Sequence, residues 1–289
     1  NPDHSESIAF AKEIDIPTNR IYKDFDTLIE EEMKLPEDER IQVCSILTPN
    51  FLHFPMAKKL LDNGFHVICE KPIAGSVAEA DRMLEAARAS GRLFAPIFQY
   101  RYGRGLYQLA ALQERGLAGK PLVATLETHW NRTADYYAVP WRGKWASERG
   151  GAVLGHAIHI HDLVTAFFGP VTEVSAILDT RVNPIETEDC AAIAMRTMSG
   201  GLVTSSISLG GAGDSSRLRL VFDGLTAESG RNPYAPGQDK WVFSARNPAE
   251  QPKIDAALAD DEVTALGVTG KPFILAAGAD LTSIAGGGP

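Results

Sequence analysis

Between residues 41 and 98 short apolar runs alternate with amphipathic stretches, and no other feature limits the possible folds of the chain as tightly. Residues 41–47 read Ile-Gln-Val-Cys-Ser-Ile-Leu and stop at Thr48-Pro49-Asn50, as expected of a strand buried on both faces. A helix is predicted from near Phe54, where Pro55 suits a first turn, to Gly64. Residues 66–69 form a second apolar run. Ser76 and Glu79 then have capping-box spacing and open an amphipathic helix that Gly91 stops, and residues 93–98 form a third run. Strand, helix, strand, helix, strand with short connections predicts right-handed βαβ units in a parallel sheet. Helices come first, because Ile8, Ala9, Ala11 and Ile14, and later Phe25, Leu28 and Ile29, recur at helical spacing.

Past Lys120-Pro121 the periodicity changes. Residues 122–130, 174–182, 189–198, 201–209, 217–222 and 241–245 are β-rich and many alternate, with one helix predicted over 151–168 and ended by Gly169-Pro170. The fold class is therefore α/β: an incomplete parallel sheet over 1–119, an α/β domain with a mostly antiparallel open sheet over 120–262, and an atypical tail over 263–289. Gly210-Gly211-Ala212-Gly213 reads as a hairpin loop, because Ser216 stands where a G-x-G-x-x-G turn needs its last glycine. Val203, Ile207, Leu218 and Leu220 are expected on the sheet face away from the helix, which predicts a homodimer or homotetramer through that face.

With 44% hydrophobic and 22% charged residues, disordered and fibrous classes are excluded. The 28 Lys and Arg against 37 Asp and Glu give a net charge of −9, and no basic run marks a nucleic-acid or anionic membrane surface. Small-molecule chemistry is the class that remains. Cys44, Cys69 and Cys190 form no C-x-x-C pair and read as thiols of a reducing compartment, with Cys44 and Cys69 buried. No apolar stretch of membrane-spanning length and no signal-peptide order is present, so a cytoplasmic protein is expected. The first residue is Asn1, and the chain reads as a fragment.

Three groups of residues carry chemistry. Glu70-Lys71-Pro72 follows directly on the second strand, at the sheet edge where α/β folds bind ligands. Lys71 can offer its charge to a substrate oxygen and Glu70 can pair with it or with a ribose hydroxyl; an ordinary exposed ion pair is the bland alternative. His156, His159 and Asp162 recur every three residues and share one face of a regular helix, about 60° apart, while His161 points away. An imidazole beside a carboxylate suits proton transfer. Zinc ligation has no fourth ligand at a recognisable spacing, and simple packing against the sheet also fits. The third group mixes Trp130, Tyr136, Tyr137, Trp141 and Trp145 with Asn131, Arg132, Asp135, Arg142 and Lys144, a composition that suits a polyol ring or equally an interdomain or dimer contact.

Thr48-Pro49-Asn50 with His53, then His66-Val-Ile-Cys-Glu-Lys-Pro72, then Gly150-Gly151 with His159 and Asp162, resemble in order and spacing the Gfo/Idh/MocA oxidoreductases, which include glucose-fructose oxidoreductase and inositol 2-dehydrogenase. The resemblance implies that 1–119 is a partial dinucleotide-binding Rossmann domain and 120–262 a substrate and oligomerisation domain. It implies NAD or NADP as cofactor, bordered by Thr48, Pro49, Asn50, His53, Glu70, Lys71, Gln99 and Arg101. It also makes Lys71 and His159 the catalytic pair with Asp162 toward a sugar or cyclitol, while Trp141 and Arg142 of the aromatic stretch, and His156 beside Gly155, are further candidate substrate contacts. No metal is implied.

Three departures stand out: the first strand, the G-x-G-x-x-G turn and the second strand with its acidic residue are absent, Gly155 stands where many members have Asp, and the tail replaces the usual return helix. In the tail, residues 271–281 resemble the oxyanion-hole segment of the enoyl-CoA hydratase (crotonase) family, over too short a stretch to imply hydratase activity. It reads as a foreign or frame-altered flexible end.

The function expected is hydride transfer from a secondary alcohol of a sugar or cyclitol to NAD(P), with the fragment alone binding cofactor weakly for want of the phosphate loop. A non-catalytic dinucleotide- or sugar-responsive binding protein of the same fold is the alternative, and Lys71 together with His159 argues against it. A zinc hydrolase or lyase using His156, His159 and Asp162 is a second rival. With an ordinary imidazole the rate is expected to fall in acid with a midpoint at about 6 to 7.

Overall fold

The structure is a computed structural model that describes residues 4–259; the tail readings fall outside the described residues. Helix α1 (His4–Glu13) and α2 (Phe25–Glu32) lead into β1 (Val43–Ile46), α3 (His53–Asp62), β2 (His66–Cys69), α4 (Val77–Ser90) and β3 (Phe94–Pro96). The strands lie in the order β1-β2-β3 and all pair in parallel, as the βαβ pattern requires. Ser76 caps α4 by accepting the Glu79 N–H, and Glu79 reaches back to the Gly75 N–H. Gly91 ends that helix at φ 66, a conformation open to glycine at little cost.

Ile46, Leu60, Leu61, Phe65, Val67, Met83 and Phe94 are buried together between sheet and helices. The expectation of a first strand buried on both faces does not hold among the described residues: Val43 is 51% and Leu47 71% exposed, because β1 is the edge of the described sheet. Cys69 is fully buried and Cys44 only partly, and both thiols are free.

After α5 (Arg104–Glu114) comes β4 (Pro121–Asn131), then the short α6 (Ala134–Tyr137) and α7 (Trp145–Glu148), and the long helix α8 (Ile158–Phe168). The remaining elements are β5 (Val171–Asp179), β6 (Cys190–Thr197), β7 (Leu202–Ser208), β8 (Gly210–Phe222), β9 (Leu225–Glu228), β10 (Val242–Ala245) and α9 (Gln251–Leu258). Seven strands form one sheet, β10-β9-β8-β4-β7-β6-β5, in which β4 and β7 pair in parallel and every other pair is antiparallel.

Two expectations about this sheet are corrected. Residues 210–213 are not a hairpin loop: β7 and β8 flank β4 on opposite sides, and the chain crosses the end of β4 through Leu209, so Gly210 already pairs with Asn131 as part of β8. Val203, Ile207, Leu218 and Leu220 do not lie on the open face. They are at most 3% exposed and pack with Ile160, Leu163, Val164 and Phe168 of α8, since strand alternation sends the apolar side of each strand toward the helix. The other face is polar with scattered apolar positions, Thr125, Glu127, Thr204 and Ser206 beside Ala192 and Ile177, around a shallow depression of about 470 Å³. Among the described residues no helix is long and apolar enough to cross a membrane.

Candidate active site

The carboxyl ends of the parallel strands supply one wall. Thr48-Pro49-Asn50 follows β1, Glu70-Lys71-Pro72 follows β2, and Gln99–Arg101 forms a short 3-10 turn after β3. His53 ties the first two segments together, because its Nδ1 lies 2.7 Å from the Pro72 carbonyl and its Nε2 2.8 Å from the Thr48 carbonyl. Its ring is 1% exposed, so this bracing is shielded from water. The Lys71-Pro72 peptide is cis, and the Lys71 backbone N–H donates to Glu70 Oε2.

The second wall is the segment that leads into α8. Gly151 is required there by close approach: a Cβ would fall 1.9 Å from the Glu188 carbonyl oxygen. The Glu188 carboxylate accepts the Gly151 N–H at 3.0 Å and the Val153 N–H at 3.0 Å, satisfying donors that open a helical segment. Val153–Ala157 then forms a π-helical turn, and the regular helix starts only at Ile158.

The wide turn corrects the picture of a single regular helix with three residues on one ladder. His156 closes the π turn against Trp130 and Tyr136, with ring centroids 5.3 and 5.8 Å apart. His159 stacks on Tyr100 at 4.3 Å and meets the edge of Phe98. Asp162 accepts from Arg101 with both carboxylate oxygens, at 2.7 and 2.6 Å, and so orients its guanidinium. His161 points into the sheet and meets Ser205 Oγ at 2.9 Å.

Lys71 joins the two walls. Its ammonium donates to the Gly155 carbonyl at 2.8 Å, which brings its charge from the end of β2 to the turn that carries His156 and leads into His159. Asn50 makes a second bridge, from Nδ2 to the Glu148 carbonyl at 2.7 Å. Gly155 leaves the site open, since a Cβ there would meet only Glu148 Oε1 at 3.9 Å.

Electrostatics follow from burial. Burial and the Lys71 charge push His159 down to about 3, far from the ordinary imidazole value expected for an acid midpoint near neutrality. Burial, then Lys71, Arg132, Arg142 and His159, hold His156 well below its usual value. Both rings are therefore neutral at physiological pH, and each keeps a buried Nδ1 without a hydrogen-bond partner. Burial also lowers Lys71, against the opposing pull of Glu70 and Glu148, and raises Glu148.

Trp141 and Arg142 lie at the rim, where the Arg142 guanidinium sits 3.8 Å above Tyr136 and 5.3 Å from Trp141. Sequence reasoning did not single out Tyr100, Glu148 or Glu188 as site residues. Tyr100 stands inside the Phe98-Gln-Tyr-Arg101 run and was within reach; the contact of Glu188 with Gly151 spans 37 residues and left no local signal. Among the described residues no group of three or more His, Cys, Asp or Glu side chains is placed to hold a metal ion.

Residues 1–98 match the family model of the Gfo/Idh/MocA oxidoreductases, described as an NAD-binding Rossmann fold, and residues 107–227 match the C-terminal domain of that family. The chain is 29% identical over 229 residues to the oxidoreductase YfiI of Bacillus subtilis, covering 73% of this chain and 56% of that protein. It is 28% identical over 191 residues to myo-inositol 2-dehydrogenase of Thermotoga maritima, covering 63% and 52%. The structure of the WlbA dehydrogenase from Bordetella pertussis, in complex with NADH and UDP-GlcNAcA, superposes with a TM-score of 0.73 at 27% identity, covering 91% of this chain and 72% of that one. The chain spans about half the length of the curated relatives it matches. On the two domain matches, the strand-end lysine and the helix histidine in their observed places, the chain belongs to the Gfo/Idh/MocA family of oxidoreductases, whose N-terminal domain is the NAD-binding Rossmann fold.

Proposed function

We propose that this chain supplies the nicotinamide side of the cofactor site and the substrate domain of an NAD(P)-dependent oxidoreductase that acts on a secondary alcohol of a sugar or cyclitol. The observation that carries the reading is the reach of Lys71 Nζ to the Gly155 carbonyl, which sets one fixed charge beside a neutral buried His159 over the ends of parallel strands. A sensor of dinucleotides has no need of that pairing. The relatives' names, a cyclitol dehydrogenase and a dehydrogenase held with NADH and a nucleotide sugar, support the class.

Thr48, Pro49, Asn50, Glu70 and Gln99 at the strand ends would border the nicotinamide ribose, and the donor set fits, with His53 bracing its backbone from behind. NAD(P)+, when bound, supplies the acceptor for the hydride of the carbinol carbon. His159 takes the hydroxyl proton, for which a neutral imidazole is in the required state. Lys71 stabilises the negative charge that develops on the oxygen, in a site that already excludes much of the water. Tyr100, stacked on His159, and the edge of Phe98 keep the base in place. A homodimer or homotetramer through the open sheet face, with Ile177 78% exposed on it, completes the reading. Oxidation of a panel of sugars and cyclitols by the full-length protein, followed by the absorbance of reduced nicotinamide, tests the function. Reduction of neither NAD+ nor NADP+ by any of them would contradict it.

A further inference from the structure

Arg142 forms no ion pair among the described residues, although the Glu148 carboxylate feels its charge. Among the described residues its guanidinium makes one hydrogen bond, to the Tyr136 carbonyl at 3.3 Å, and meets no carboxylate within ion-pair distance, while its Nε is buried and unpartnered. The acids nearby hold other groups, Glu186 of the adjoining depression accepting the Trp145 N–H at 3.1 Å. Asp214 holds Arg132, the Asn131 N–H and Tyr234; Glu148 accepts the Gly143 N–H at 2.5 Å; and Asp162 is taken by Arg101. Arg132 lies on the same aromatic ring as Arg142, with its guanidinium carbon 5.2 Å from Tyr136, and its own Nε is likewise buried and unpartnered.

The Tyr136 ring connects this pair to the chemistry. It stands 5.8 Å from His156, a side chain 6% exposed whose buried Nδ1 has no partner. The charges that weigh most on His156 are Lys71, Arg132 and Arg142, all positive. A half-buried guanidinium is poorly served by a neutral hydroxyl, which leaves its charge uncompensated, whereas a carboxylate accepts two of its parallel N–H groups and neutralises it.

We propose that the substrate carries a carboxylate, as in a uronic or other sugar acid, and that Arg142, assisted by Arg132, receives it while a ring hydroxyl reaches His156. This rests on the sugar or cyclitol reading above and names the charge class of its substrate.

Trp130 packs on His156 and Trp141 lies near Arg142, so tryptophan fluorescence reports on this site. Full-length protein is titrated with two matched pairs, glucuronate against glucose and galacturonate against galactose, at low and high salt. For at least one pair the acid should bind about tenfold more tightly or better, as a charge-assisted bidentate contact implies. Added salt should shrink that margin. R142Q should remove it, bringing the acid to the affinity of the neutral sugar, and R142K should restore only part, since lysine keeps the charge and loses the fork.

Equal affinities within both pairs in the wild type, or an undiminished margin in R142Q, overturn the proposal. The salt series needs no variant, so a misfolded R142Q does not shelter it. Oxidation of a neutral sugar or cyclitol with no preference for the acids leaves the oxidoreductase reading standing and removes this one, while absence of binding and of turnover with every sugar removes both.

Discussion

On the parallel-sheet side, the site residues lie within seven residues of the end of a strand, and the three segments come together because the strands themselves lie side by side. On the seven-stranded side, the site is gathered from far along the chain: Arg132 meets Asp214, Gly151 meets Glu188, and His156 rests on Trp130. The first wall is set by topology, so its residues hold their places wherever the strand order is kept. The second depends on buried polar contacts between distant segments, in which each partner removed leaves another unsatisfied. Loss of Lys71 should therefore read as lost chemistry, and loss of the contacts between distant segments as lost stability and altered ligand affinity.

The largest effect tests that division. Lys71→Ala should cut kcat by about 10²-fold or more, the size expected for losing charge stabilisation of an oxyanion, with the folded state retained by circular dichroism. Should kcat hold while the thermal midpoint falls, Lys71 would serve as an interdomain strut and not in the chemistry.

A second expectation concerns acid. His156 and His159 are buried and His161 half-buried, with values lowered by burial, to about 3 for His159 and about 4 for His161. The unfolded chain protonates its imidazoles near ~6.5, so below that pH it binds more protons than the folded one. The stability contributed by these neutral rings is complete above about pH 6.5 and is lost as pH falls toward the folded values. The thermal midpoint should drop between about pH 7 and pH 5, and His161→Gln should make the drop shallower without changing kcat much. A midpoint independent of pH in that window would mean the rings are more hydrated than their packing indicates.

Smaller effects separate the walls further. Asn50→Ala removes the bridge to the Glu148 carbonyl and should lower stability by ~1–3 kcal/mol in denaturant titration, with a raised KM for the cofactor. Ser76→Ala removes the cap of α4, which carries no site residue, and should cost ~1 kcal/mol with kinetics unchanged. Equal kinetic consequences from both would erase the distinction.

The same difference governs what could be read from the chain. Glu70-Lys71-Pro72 was legible because an apolar run of four residues ends directly before it, and a strand end is where side chains meet ligands in such sheets. The capping pair Ser76 and Glu79 was legible for the same local reason. The π turn was not, since spacing alone treats Val153–Ala157 as ordinary helix, and the close approach of Gly151 to Glu188 that frames it appears only in three dimensions. Which side of each strand faces α8 was also misjudged: alternation tells that Val203 and Ile207 share a face but not that the helix covers it.

Replacement of each histidine in turn tests the central claim most directly. If His159 takes the substrate proton, His159→Ala in the full-length enzyme should lower kcat about 10²-fold or more, while His156→Ala should act mainly on KM and His161→Ala mainly on stability. Near-normal turnover in His159→Ala together with its abolition in His156→Ala would contradict the account and transfer the base to His156.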